Sequence, residues 1–470
     1  MTPNHTYLHI ARVTFETRAP LSIGGGKPDG VFDVEIARDA NGLPVIPGAS
    51  LAGVLRHHYQ RSAAAEEVQA LFGYAQGDQG LPSRVQIGWA HIHDSQDKPL
   101  EGLVHPMNDE LLKPLVEQAL PYRDHVRISH RGAAEDHGKF DRSFVPTGMR
   151  FTCEIRLWSE SVDDPAWNIL LGLMRDPVFR LGGATRKGFG KLAVIRLLGA
   201  SHNLASEDGL DALARLDVSL ANNEGLIPVT LPPIASTGIS AKISLKPEAG
   251  WRFGAGSVSL KGDNGKPADA LPASERIVEW RDGRGSLGER RLLIPASSIK
   301  GALSHRVAYH YNRLAGCFAT PELASNYDKN AVNPAVRTLF GHATDHDAGD
   351  GQIGRILFDD SYLKPKPANL SQQMHNSIDR FTGGVRDKVL FSEEVVHRTG
   401  IALHMSIAAD NGLDQALADD PRILQSLSLA LDDLTAARLP LGAGSAKGHG
   451  YFTGAIEWSD DGRWIKGERS

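Results

Sequence analysis

Cysteine is nearly absent. Cys153 and Cys317 are the only two in 470 residues, and neither stands at a metal-type spacing, which excludes a disulfide framework and a paired-cysteine zinc site. No apolar run is long enough to span a bilayer, and the opening MTPNHTYLHIARV lacks the basic start and apolar stretch of an export signal. A cytoplasmic protein with no membrane partner is expected. A basic excess is also missing: 51 Lys and Arg stand against 56 Asp and Glu, for a net charge of -5. This argues against a uniformly basic nucleic-acid binder and directs attention to local clusters of charge. Aromatics make up only 7%, and Phe189 is the one aromatic in the glycine-rich loops described next, where it reads as core packing rather than a base-stacking platform.

What the chain does have is a duplication. Leu181 to Gly190 reads LGGATRKGFG and Leu441 to Gly450 reads LGAGSAKGHG, aligned without a gap at a spacing of 260. Ala11 to Phe15, with Leu21, Ile23, Gly24 and Gly26, matches Ala241 to Leu245, with Trp251, Phe253, Gly254 and Gly256, at 230. A proline-led helix start, IPGASLAGVL from Ile46, returns as IPASSIKGAL from Ile294 at 248. Leu71-Phe72-Gly73 returns as Leu339-Phe340-Gly341 at 268, and Phe151 to Leu157 as Ile401 to Ile407 at 250. The drifting spacing predicts one scaffold with loops of different length.

Each copy opens on an alternating strand, with Ala11, Val13 and Phe15 on one face and Arg12, Thr14 and Glu16 on the other. A helix follows, with Leu51, Val54, Leu55 and Tyr59 on one stripe, matched by Ile299, Ala302, Leu303 and Val307; its tip is expected to be open to an anion. Strands follow at Val85, Ile87 and Trp89 and at Ile356 to Phe358, then at the 151–157 and 401–407 stretches. A second helix carries Trp167, Leu170, Leu171 and Met174, or Ile423, Leu427, Leu431 and Leu434, and after the glycine loop comes a last strand. That order, strand, helix, strand, strand, helix, strand, predicts an α+β protein of two tandem ferredoxin-like, RRM-like domains. The boundaries read as 1–200, a linker at 201–229 with one short helix, 230–459, and a polar tail at 460–470. Long polar insertions, Arg127 to Arg142 and Asn376 to Phe391, read as functional arms or disordered loops.

The glycine pairs, the two helix starts, the Arg380 to Gly384 stretch RFTGG and the terminal glycine loops together resemble the RAMP superfamily. Within it, they resemble the backbone subunits of type III CRISPR effector complexes, here fused in tandem as in subtype D. The resemblance implies a ribonucleoprotein subunit aligned along a CRISPR guide RNA, with complementary target RNA and the other effector subunits as partners. It implies phosphate contacts at Gly24, Gly25, Ser50, Arg56, Gly254, Ser298 and Lys300, while the charge of the loops adds Arg186, Lys187, Gly188, Gly190, Lys447, Gly448 and Gly450. Thumb-like arms carrying His130, Arg131, Arg380 and Phe381 would wedge into the guide–target duplex.

In that family an aspartate between the glycine pair and the helix start cleaves the target strand. Asp33 takes the place here, with Asp29 nearby, and would hold Mg2+ or another divalent cation while the 2′-OH of the RNA attacks. Asp269 is its counterpart in the second copy, with Glu275 the next carboxylate. Copy one has Ala52 and Arg56 where copy two has Lys300 and Ser304, so each keeps one cation of a pair. Two other readings stand beside this one. His130 or His137 could serve as general acid or base in a metal-independent guide-processing endoribonuclease, and the chain could be a non-catalytic guide-RNA scaffold.

Overall fold

The computed structural model describes residues 5–25, 35–117, 120–128, 134–232, 238–254, 256–261, 267–318, 333–342 and 351–468. The chain divides into two compact units. One comprises Met1–Thr185, Phe189–Ser236 and Ile277–Gly288, and the other Arg186–Gly188, Thr237–Arg276 and Glu289–Ser470.

In the first unit the strand Tyr7–Thr17 runs between Arg150–Ser159 and Leu192–Asn203, and Val85–Ile87 adds to the far side of Arg150–Ser159, all antiparallel. Counting strands in chain order, the spatial order is 4-1-3-2. Helices Gly48–Tyr59 and Pro165–Leu173 bring Leu51, Leu55, Leu170 and Leu171 into one core with Val13, Phe15, Phe151 and Ile155. Each such side chain contributes about 1.5–3 kcal/mol by leaving water.

The second unit repeats the plan. Gly238–Pro247 runs between Ile401–Ala408 and Phe452–Trp458, with Ile356–Phe358 beyond, again 4-1-3-2 and antiparallel. Helices Ala296–Leu314 and Arg422–Thr435 cover it with Ile299, Leu303, Leu427 and Leu431. The repeat holds at the level of register, since Ala11 stands opposite Ile155 and Ala241 opposite Met405. The fold is mixed α+β built on antiparallel sheets.

Four features differ from the sequence reading. The strand Tyr7–Thr17 is buried on both faces, so Arg12, Thr14 and Glu16 do not face water. Trp89, expected on a strand, sits where the second strand is interrupted between Val85–Ile87 and Ala90–Ile92, and it is 51% exposed. Residues 201–229 do contain a short helix, Glu207–Arg215, but the stretch that follows docks on the first unit: Ile227–Pro228 pairs with Leu198–Gly199, and Leu220 and Leu226 are buried. The hairpin Ser274–Arg281 with Arg284–Ile294 is not among the expected elements, although its turn, Asp282-Gly283 with φ of 51° and 74°, is the strongest short hairpin signal a sequence offers.

Candidate nucleic-acid interface

The two glycine loops share the positions at which φ is positive. Positive φ occurs at Gly182, Ala184, Gly188 and Gly190, and again at Gly442, Gly444, Gly448 and Gly450. The anchoring bonds repeat as well. Gly183 N donates to Ser22 O (2.7 Å) and Gly190 N to Pro20 O (2.8 Å), as Ala443 N does to Arg252 O (2.8 Å) and Gly450 N to Gly250 O (3.0 Å). A Cβ at Gly190 or Gly450 would lie 2.1 Å from the carbonyl oxygen of Leu181 or Leu441. The close approach these glycines permit is therefore to the protein's own backbone. The amides of Gly190, Gly448 and Gly450 donate to the carbonyls of Pro20, Ser445 and Gly250.

The helix starts are likewise built alike, with Pro47 and Pro295 extended before the first turn and the amides of Ser50 and Ser298 closing it at 3.0 Å. In the second unit one amide of the tip is taken, since Ala296 N donates to Asp360 Oδ1 (2.8 Å) and Asp360 is buried. The single cation kept by each copy has one shared task. Arg56 Nη1 donates to the carbonyl of Gly73 (3.2 Å), the C-cap of Ala65–Phe72, and Lys300 Nζ donates to the carbonyl of Phe340 (2.9 Å), the last residue of Pro334–Phe340. Cations favour carbonyl ends of helices. Lys300 is further constrained: burial, then Lys187, then Arg186 pull its ammonium down to about 8. Arg186, in the segment grouped with the second unit, donates through Nε to Gly354 O (2.7 Å).

Asp33, Asp29, His130 and Arg131 lie outside the described residues. The neck of the loop that carries Asp33 is described, and it is duplicated. Ala37 N donates to Ile23 O (2.7 Å) and Val45 N to Ala37 O (3.1 Å), while Ala273 N donates to Phe253 O and Leu293 N to Ala273 O (both 2.8 Å). Gly25 N, expected near phosphate, closes the same neck on Glu35 O (2.9 Å). Asp33 and Asp269 each stand four residues before the neck alanine. Asp269 Oδ2 accepts from Ser392 N (2.8 Å) and Ser392 Oγ (3.0 Å), so its carboxylate clips the loop to the strand Phe391–Val396. Glu275 accepts from Tyr362 Oη at 3.0 Å.

The first arm is a hairpin of Tyr122–Ile128 and Ala134–Ser143, and the second rises from Leu370–His375 and Phe391–Val396. At the second tip, Phe381 N and Thr382 N donate to Asp379 Oδ1 (3.0 and 2.9 Å), which presents Arg380 and a 99% exposed Phe381. The residue before the last glycine of each loop meets the root of its own unit's arm. Phe189 packs edge-on against Phe144, as its apolar character suggested, while its counterpart His449 lies 4.0 Å from Glu393. Sequence reasoning missed Glu393. Buried, it gathers Lys447 (3.0 Å), Arg252 (3.2 Å) and His375 (2.6 Å). Burial works to raise its carboxyl, but Lys447 and the other cations outweigh burial and hold it low. Lys447, expected on phosphate, is thus ion-paired at the arm root.

Among the described residues, no group of three or more His, Cys, Asp and Glu side chains is placed to hold a metal, and no helix is long and apolar enough to cross a membrane. The RAMP superfamily is matched over residues 14–193 and 283–453, one region in each copy. No curated protein matches the chain.

Proposed function

The chain belongs to the RAMP superfamily, whose members bind RNA in CRISPR complexes, and on that premise we propose that it is a guide-RNA-binding backbone subunit of a type III effector, a tandem fusion of the subtype D kind. Its copies are read as ferredoxin-like domains. The observation that carries the proposal is the cationic setting of Lys300. An ammonium lowered to about 8 by burial and by Lys187 and Arg186 gains from an anionic neighbour, and a guide phosphate supplies one without reading sequence. Base pairing then does the reading.

Cleavage of the target strand is proposed at Asp33, with Asp269 its positional twin. The 2′-OH of a nucleotide splayed by the arm, with Phe381 at the tip of the second, would be the nucleophile. The divalent cation rests on the family resemblance alone. Asp33 lies outside the described residues, and no described cluster fits a metal. A non-catalytic second copy is favoured by one observation, the bonds between Asp269 and Ser392.

The test is to co-purify the protein with guide RNA and its partners and to map cuts on a complementary RNA. Asp33→Ala should abolish one set of cuts, Asp269→Ala a second or none, and chelation all of them. Cuts that survive Asp33→Ala would assign cleavage to another subunit, and cuts that survive chelation would favour histidine chemistry. Failure to retain guide RNA at moderate salt would sink the whole proposal.

A further inference from the structure

The outer face of the first unit's sheet, where Arg12, Thr14 and Glu16 point, is roofed by residues 217–223. Arg12 holds the roof down, its guanidinium donating to the carbonyls of Ser219 (2.6 Å), Asn222 and Asp217, while Glu101 Oε2 accepts from Ser219 Oγ (2.8 Å) and Leu220 N (2.9 Å). Beneath it lies a cavity of about 50 Å³ lined by Arg12, Thr14, Asp97, Lys98, Thr152 and Arg196, among others. One water needs roughly 10–15 Å³ by the same measure, so there is room for a group of several heavy atoms.

The wall is polar and fixed. Arg196 Nε donates to Thr14 Oγ1 (3.3 Å), Thr14 and Thr152 share a hydrogen bond (2.8 Å), Thr152 meets His93 Nε2 (2.7 Å), and His93 Nδ1 meets Asp97 (2.8 Å). His93, Thr14, Thr152 and Arg12 are all buried. The charge of the lining does not balance. Its one carboxylate, Asp97, pairs at 2.9 Å with Arg150 from outside the lining, which also meets Glu16 at 3.0 Å; Glu16 in turn has Arg18 at 3.0 Å, and Arg12 is matched by Glu154 at 3.1 Å. Burial works to raise the Asp97 carboxyl, but hydrogen bonds from His93 and Arg150 win, so it stays ionised. Arg196 is left 3.7 Å from that shared carboxylate, and Lys98 makes no ion pair among the described residues. Two cations over an already neutralised polar floor form an anion's environment.

We propose that this cavity is a binding site for a phosphate-sized oxyanion, with Arg196 and Lys98 as its charge partners and the roof of residues 217–223 closing over it. The guest is inorganic phosphate or a phosphate that ends a short chain. None of its lining residues is among the proposed RNA contacts. The test compares thermal unfolding of the full chain in phosphate and in chloride at matched ionic strength, with calorimetric titration of inorganic phosphate. Phosphate should raise the melting temperature and bind at least about tenfold more tightly to the wild type than to Arg196→Gln or Lys98→Gln. Lys300→Gln should retain the effect.

Competition by 5′-phosphorylated but not 5′-hydroxyl dinucleotides identifies a chain-terminal phosphate, and competition by neither identifies the free ion. Arg196 and Lys98 are partly exposed or exposed, so melting in chloride checks that both variants fold. Equal melting of the wild type in the two salts overturns the proposal. So does a phosphate effect that survives in both variants or vanishes in Lys300→Gln.

Discussion

The same strand leads two lives in the two copies. Arg12, Thr14 and Glu16 correspond to Lys242, Ser244 and Lys246, and both triplets project from the sheet away from the helices. In the first unit a roof covers them and Arg12 is 1% exposed; in the second, Lys242 and Lys246 are exposed, and Lys242 reaches Glu457 at 3.7 Å. What differs is the side chain that can grip. A guanidinium offers five donors in a rigid fork and can hold several carbonyls at once, whereas an ammonium on a flexible stem remains hydrated. A sheet face is therefore not polar-out by its pattern alone; what lies over it decides.

The largest test of that contrast is Arg12→Ala. It leaves three roof carbonyls and Glu154 without their buried partner and should cost about 3–5 kcal/mol in urea denaturation, against no more than about 0.5 kcal/mol for Lys242→Ala. Similar losses in the two variants would erase the distinction.

Next in size is the pair of helix-capping cations, Arg56 and Lys300. The folded-state value of Lys300, about 8, lies below its ordinary 10.5, so between those values the unfolded chain holds the proton more firmly. The sign follows directly: the stability Lys300 contributes by deprotonation is full above pH 10.5 and is lost as pH falls through about 8. The swing should be about 3 kcal/mol. Lys300→Arg should remove this slope, because a guanidinium does not titrate in that window. An unchanged slope in the variant would assign it elsewhere.

The smallest effect separates the glycine loops. A Cβ at Gly448 meets nothing within 4 Å, so Gly448→Ala should cost only its left-handed φ, about 1–2 kcal/mol. At Gly188 the added carbon would fall 2.6 Å from Ala296 Cβ and 2.5 Å from Asp360 Oδ1. Gly188→Ala should cost at least about 1 kcal/mol more. Equal melting temperatures would show that the contact at Gly188 yields without strain.

Much of the scaffold was legible because backbone demands leave marks that survive divergence. Glycines at 182, 188 and 190 recur at 442, 448 and 450, since each position needs positive φ. The alternation of Ala11, Val13 and Phe15 placed the core face correctly, as did the stripe of Leu51 and Leu55. The hairpin Ser274–Arg281 with Arg284–Ile294 falls where the spacing between the copies steps from 230 to 248, and its Asp282-Gly283 turn is a hairpin signal present in the sequence. Far less of the candidate site was legible. Lys447 has the residue type of a phosphate contact, yet its partner, Glu393, lies 54 residues away in the chain and only folding reveals it. Asp269 and Ser392 are 123 residues apart, and no local pattern links them.

By itself, then, the order of residues determined the repeat, the succession of strands and helices, and the turns, because these depend on φ preferences and on apolar periodicity within a few neighbours. Only the tertiary structure decided which charges face water. Whether Arg12 clamps a roof, Lys300 caps a helix or Lys447 serves a buried carboxylate depends on groups brought together from far along the chain, and burial sets the strength of each pairing.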